Sequence, residues 1–210
     1  MTELHYLNFE KASEASFLAA CKLLSPDERV RAFAYRNECS RRQTVFARYL
    51  LAARLSAGQT LSLEYTPSGK PLCAALGHIS ISHTDNMVCV AISNREIGVD
   101  IELIRQSRAC ASTRFWTEEE QAFIQNSTRR DKAFLHLWTR KEAFLKAQGG
   151  GWHGSAGKYS CIHDTIHESE QGKIIIWHLQ SFNLSGSYTG ALCTRDYKDE
   201  YTLQEAALPF

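Results

Sequence analysis

The chain has 210 residues, 44% of them hydrophobic and 22% charged, with a formal net charge of +1. That length suits one large domain or two small ones with a sizeable core. The near-neutral charge removes any global electrostatic case for nucleic acid or a membrane surface as partner.

No apolar run approaches the roughly 18 residues of a spanning helix. The opening "MTELHYLNFEKASEAS" lacks the basic start and apolar middle of a signal peptide. Seven cysteines are scattered, odd in number and never spaced C-x-x-C. This pattern argues against a zinc site or a disulfide framework, and for free thiols in a reducing, cytoplasmic compartment.

Residues 11–24 read as a helix, and Ser25-Pro26-Asp27 as the start of the next segment. A second helix is expected from about Arg41 to Ser56, stopping at Gly58. Pro67, Gly69 and Pro71 make residues 65–71 a turn. "HISISH" then alternates, with Ile79, Ile81 and His83 on one face and Ser80 and Ser82 on the other. "TDN" is a hairpin turn signal, and "MVCVAIS" returns as a β-branched strand. A third strand, "IGVDIELI", places Val99, Ile101 and Leu103 opposite Asp100 and Glu102. Thr117 and Glu120 form a capping box opening a helix that runs to Gln148 and stops at Gly149, Gly150 and Gly151. Short strands follow, and the tail from Asp196 is weakly patterned. Helices followed by a meander, twice over, predict an α+β fold in which helices pack on antiparallel β-meanders. The divide falls between an N-terminal lobe, 1–104, and a C-terminal lobe, 105–210.

The helix "HLWTRKEAFLK" carries an anomaly. At about 100° per residue, Ala133, Phe134, Leu137, Trp138, Phe144 and Leu145 share one arc, and Lys141 falls inside it. Burying an ammonium is costly without a partner, so a carboxylate or phosphate must lie close by unless the side chain snorkels out. Glu142 lies on the edge of the arc and Lys146 just past it. As an i,i+4 pair these two could also be an ordinary surface ion pair, worth roughly 0.3–0.5 kcal/mol.

Asp100 and Glu102 share a strand face roughly 7 Å apart, a spacing at which two carboxylates can hold one hard cation. A solvated strand face is the bland alternative. "SGKP", with Gly69, Lys70 and Pro71, lets backbone N–H groups and an ammonium approach an anion, though it also suits a plain surface turn. His83, with Ser82 beside it, is either a satisfied core histidine or a phosphate donor. Seven arginines between residues 29 and 54, with no lysine, suit bidentate anion recognition better than a merely solvated face.

In order along the chain, "SGKP", "SISHT", "GVDIE" and "WTRKEAFLK" resemble the motifs of the Sfp-type 4′-phosphopantetheinyl transferases, over about residues 25–152. Thr84 stands where that family usually reads a second serine, with the hydroxyl kept. The resemblance implies a pseudo-twofold, two-lobed, monomeric enzyme with coenzyme A and Mg²⁺ (or Mn²⁺) between its lobes. It implies transfer of the phosphopantetheine group to a serine of an apo acyl or peptidyl carrier protein. Carried over by residue, Asp100, Glu102 and Glu142 would ligate the metal. Lys70, Pro71, Ser82 and His83 would sit at the adenosine and its 3′-phosphate, with Arg41 or Arg42 beside them. Lys141 and Lys146 would face the pyrophosphate. Glu142 would orient or deprotonate the serine, and Lys146 would stabilise or protonate the leaving phosphate, with Asp100 as the third catalytic group. The exposed arginines would receive an acidic carrier helix. A non-catalytic coenzyme A or carrier-binding module would have lost one of the three acids, and all are present. A metal nuclease would want its E-x-K on a strand.

Overall fold

The computed structural model describes residues 2–105, 115–150, 156–184 and 187–210. The chain forms two compact units, Met1–Asn94 with Glu200–Phe210, and Arg95–Asp199. The division thus comes ten residues earlier than the motif pattern suggests, and the tail returns to the first unit. The strand bearing Asp100 and Glu102 therefore belongs to the second unit, because its ladder partner is a strand at 188–195.

In the first unit, β1 (Thr2–Asn8) precedes helices α1 (Glu14–Lys22), α2 (Pro26–Phe33) and α3 (Glu38–Ala52). A short hairpin, β2 (Glu64–Tyr65) and β3 (Pro71–Leu72), leads to the longer hairpin of β4 (His78–Thr84) and β5 (Met87–Ser93). Each helix begins on a side chain suited to accept an orphan N–H: Ser13, Ser25 followed by Pro26, and Asn37. The tail supplies a last strand, Tyr201–Glu205, parallel to β1, in a sheet otherwise ordered β1-β5-β4. Phe9 stacks on Phe46 at 5.1 Å and Phe17 meets Phe46 edge-on at 6.2 Å, which pins the helices to the sheet. Each buried ring contributes about 1.5–3 kcal/mol. Ile79 enters this core, whereas His83, on the same face of β4, is exposed at the strand's end. Ser80, Ser82 and Thr84, on the opposite face, are also buried.

The second unit holds β6 (Ile97–Leu103), α4 (Glu118–Asn126), α5 (Arg130–Gln148) and the meander β7 (Thr165–Glu170), β8 (Lys173–Leu184), β9 (Tyr188–Arg195). The remaining strand of the first unit, Tyr201–Glu205, is β10 in chain order. The sheet order is β6-β9-β8-β7, all antiparallel. In each unit, then, the strand ahead of the helices pairs with the last strand of the meander after them, whereas the sequence pattern announces only helices followed by a meander.

The single helix expected over 117–148 is two helices. Its capping box is present as read, with Thr117 Oγ1 accepting from Glu120 N and Glu120 from Thr117 N. Asn126-Ser127-Thr128 interrupts it, since such side chains offer the backbone competing hydrogen bonds. Ser127 turns to an extended ψ of 135° and its hydroxyl accepts from Arg129 N at 3.1 Å. Gly149 ends α5 in the left-handed region at φ 75°, as a C-cap glycine should. Gly151 lies outside the described residues.

Helix α5 is buried on nearly every side. Phe144 packs against Tyr159 and Trp177, and Phe134 stacks on Trp138. On β6, Gly98 permits the closest approach. A Cβ there would lie 1.9 Å from Ala143 O and 2.5 Å from Ala147 N. The alternation of β6 thus turns residues 98, 100 and 102 toward α5. Among the described residues, no helix is long and apolar enough to cross a membrane. Cys21, Cys39, Cys73, Cys89, Cys161 and Cys193 are in no disulfide, and burial pushes the Cys161 thiol up to about 12. Cys110 lies outside the described residues.

Candidate active site

The close packing of Gly98 on α5 brings two motifs together. Asp100 is buried on β6, and its Oδ1 accepts a hydrogen bond from Lys146 Nζ at 2.7 Å. The side-chain exposure of this pair is 31% for Lys146 and 7% for Asp100. Glu102 follows two residues along the same face, half-buried. Glu142, also half-buried, stands one turn before Lys146 on the same side of α5. A helical side chain leans toward the N-terminus, so Lys146 reaches back over the turn that carries Glu142. Asp100, Glu102, Glu142 and Lys146 therefore occupy one strand face and one helix side of the second unit. Among the described residues, no group of three His, Cys, Asp or Glu side chains is arranged to hold a metal ion. The ammonium of Lys146 supplies a positive charge to Asp100.

Lys141 departs from its expected place beside a pyrophosphate. Its side chain and that of Glu120 are both 0% exposed, with Nζ donating to Glu120 Oε2 at 2.6 Å. The same ammonium donates to the carbonyls of Ala156 at 2.7 Å and Tyr159 at 3.1 Å, and lies 5.4 Å from the Trp116 ring centre. Three donors meet three oxygens, and no proton is left to offer a substrate. A lysine in an apolar arc did require a nearby anion. That anion is a protein carboxylate, 21 residues back, and not a phosphate.

Glu120 and Arg140 were not singled out by sequence as anything beyond a cap and a motif neighbour. Glu120 Oε1 accepts from Cys161 N at 2.8 Å. Arg140 donates to Cys161 O, His163 O, Ser181 Oγ and Asp164 Oδ1, at 2.6, 2.7, 3.1 and 3.0 Å. The one available signal was a capping-box carboxylate lying ahead of an apolar arc that contains a lysine.

The remaining candidates belong to the first unit. Lys70 closes the β2–β3 turn, its N donating to Thr66 Oγ1 at 3.0 Å and its carbonyl accepting from Thr66 N at 3.0 Å. Gly69 takes the φ of 87° that this turn demands, and Pro71 pairs with Tyr65. Ser82 is buried on β4, and His83 is exposed, which removes the core-histidine alternative.

Arg42 donates to Ala12 O at 2.6 Å and approaches Glu14 and Glu38 at 3.8 and 3.6 Å. Arg41 donates to Tyr35 O at 3.1 Å, while its Nε is buried with no hydrogen-bond partner among the described residues. Much of the arginine cluster serves the fold. Arg48 bonds buried Glu28 at 2.8 Å and Tyr65 at 2.9 Å, and Arg29 holds the carbonyls of Lys22 and Leu24. Arg31 and Arg48 still line an open cleft of about 330 Å³ together with Tyr35, Thr44 and Tyr65.

The family model of the 4′-phosphopantetheinyl transferase superfamily matches residues 96–202. The chain is 28% identical over 149 residues to 4′-phosphopantetheinyl transferase psf-1 of Bacillus pumilus, covering 65% of this chain and 62% of that one. It is 30% identical over 113 residues to the transferase gsp of Aneurinibacillus migulanus, covering 53% and 48%. Against the transferase Sfp of Bacillus subtilis (strain 168) it is 26% identical over 147 residues, covering 64% of each. The matched stretch is thus between about half and just under two thirds of these relatives' length.

Proposed function

Because the chain belongs to the 4′-phosphopantetheinyl transferase superfamily, we propose that it moves the phosphopantetheine group of coenzyme A onto a serine of an apo acyl or peptidyl carrier protein. The observation that carries this reading is the contact of Lys146 with Asp100, with Glu142 on the same side of α5. It joins the strand acids and the helix motif in one place. The serine Oγ attacks the β-phosphorus of coenzyme A, the phosphoanhydride bond breaks, and 3′,5′-ADP leaves. Phosphoryl transfer of this kind asks mainly for positioning and charge neutralisation.

The donor chemistry at this place suits Mg²⁺. Carboxylate oxygens are hard ligands, and Mg²⁺ takes only one or two of them alongside water and phosphate oxygens, so a closed trio of acids is not required. Asp100, Glu102 and Glu142 would hold the ion between them, one or two directly and the rest through its waters. Bound there, it would supply charge neutralisation on the pyrophosphate. Lys146, partly exposed and so within reach of a competing ligand, would turn from Asp100 to the departing phosphate and stabilise or protonate it. Glu142 accepts the serine proton, directly or through one water.

Lys70 with Pro71, and His83 with Ser82, would receive the adenosine and its 3′-phosphate. Arg41 has fewer protein partners than Arg42 and keeps a buried donor without an acceptor, so it is the better placed of the two for the phosphate. The test is chemical. With coenzyme A, Mg²⁺ and an apo-carrier, chromatography should show 3′,5′-ADP released in step with carrier consumed, and none without carrier. Hydrolysis of coenzyme A independent of carrier would point instead to a different phosphotransferase.

A further inference from the structure

Arg140 and Lys141 bind α5 to other segments of the second unit, while Lys146 reaches Asp100 on β6 and Glu142 stands one turn before it. Lys141 and Glu120, wholly buried, join the start of α4, the middle of α5 and residues 156–161. Around the helix, Glu142 lies about 100° and Lys146 about 140° from Lys141. Side-chain tips stand roughly 5–6 Å from the helix axis, so a 20° rotation of α5 moves them about 2 Å. A misplacement of about 1 Å at a reacting centre can cost about a hundredfold in rate.

We propose that the Glu120–Lys141 pair is a positioning device: it fixes the rotation of α5 and so sets Glu142 and Lys146 against Asp100, without itself touching substrate. The pair is built for this. The observed arrangement satisfies the ammonium's three donors and both carboxylate oxygens at once, and a buried pair left half-satisfied is strongly disfavoured. An exposed lysine could not impose such a constraint. This inference rests on the transferase reading for its kinetic consequences, not for its structural ones.

Three measurements decide it. First, in the ¹⁵N spectrum of the wild-type lysine ammonium groups, added coenzyme A should shift Lys146 and leave Lys141 in place. A Lys141 shift as large as that of Lys146 would overturn the proposal.

Second, Lys141→Met leaves Glu120 buried and unpaired, and Glu120→Gln in the same chain removes that charge. The double variant should recover most of the melting temperature that the single variant loses. Its kcat should still fall about a hundredfold, with KM for coenzyme A within about twofold of wild type. A rise in that KM of about tenfold or more, with kcat kept, would make Lys141 a phosphate ligand. Wild-type kcat in the refolded double variant would reduce the pair to plain stability. Either result sinks the positioning role.

Third, and without any turnover, the Lys146 ammonium of the double variant should lose the slow proton exchange that its bond to Asp100 confers. If wild-type protein modifies no carrier, the transferase reading fails while this third arm still decides, and unchanged Lys146 exchange would refute the positioning role.

Discussion

Helix α5 carries two lysine–carboxylate pairs within two turns. Lys141 with Glu120 is sealed from water, and Lys146 with Asp100 is partly open to it. The chemistry of the two pairs is the same, so the difference in role comes from environment. A sealed pair must offset the desolvation of both charges through near-complete hydrogen bonding, and once made it does not trade partners. A partly open pair costs less to break, and a ligand can compete for it. On the proposed reading the first pair belongs to the scaffold and the second to the reaction.

The contrast breaks most visibly on removing the sealed lysine. Lys141→Met should cost about 3–5 kcal/mol of stability, because it strands a buried carboxylate. Chemical denaturation of the purified variant measures this directly. The matching change in the open pair, Lys146→Met, should cost less, about 1–3 kcal/mol in the same experiment, because it leaves Asp100 buried without its ammonium but beside the water that reaches Lys146, while kcat drops about a hundredfold. Equal stability losses for the two would erase the distinction drawn here.

A third change separates strand from helix without altering any charge. Gly98→Ala drives a Cβ into the backbone of Ala143 and Ala147, which cannot yield as a flexible side chain can. It should destabilise the protein by about 1–3 kcal/mol and weaken the Lys146–Asp100 contact while leaving the Glu120–Lys141 bonds intact. Lysine ¹⁵N spectra would show one ammonium perturbed and the other unchanged.

The smallest effect concerns pH. His136, half-buried on α5, has its pKa pushed below the ordinary 6.5 by burial first and then by the charge of Arg140, with Asp164 opposing. A base whose pKa is lower folded than unfolded binds protons better in the unfolded chain. Its contribution is therefore intact above the unfolded pKa and lost as pH falls through the folded one. Melting temperature should decline as pH drops below about 6.5, and His136→Gln should flatten that decline.

Local chemistry was readable wherever a short pattern dictates geometry. The hairpin of β4 and β5 turns at Asp85, whose φ is 45°, where the aspartate-asparagine pair predicted it. The Thr117–Glu120 box and the stop at Gly149 are likewise as read. The break at Ser127 was not, although the eight polar residues 125–132 interrupt the apolar periodicity there, because the cap at Thr117 and the stop at Gly149 bracket the whole run as one helix. The strands at the two ends, β1 and β10, pair in parallel over some two hundred residues of chain, a contact that no local pattern announces. The requirement for an anion near Lys141 followed from burial alone, but its identity depended on where α4 packs. Sequence named Asp100 and Lys146, and the structure shows that they touch.

The most direct test is the intact mass of an apo-carrier protein after incubation with coenzyme A and Mg²⁺, using wild-type chain and Glu142→Ala side by side. The account predicts that acyl or peptidyl carrier gains one phosphopantetheine group with wild type, and that the variant, folded to the same melting temperature, leaves it unmodified. No gain with either kind of carrier, or an undiminished gain with Glu142→Ala, would contradict it.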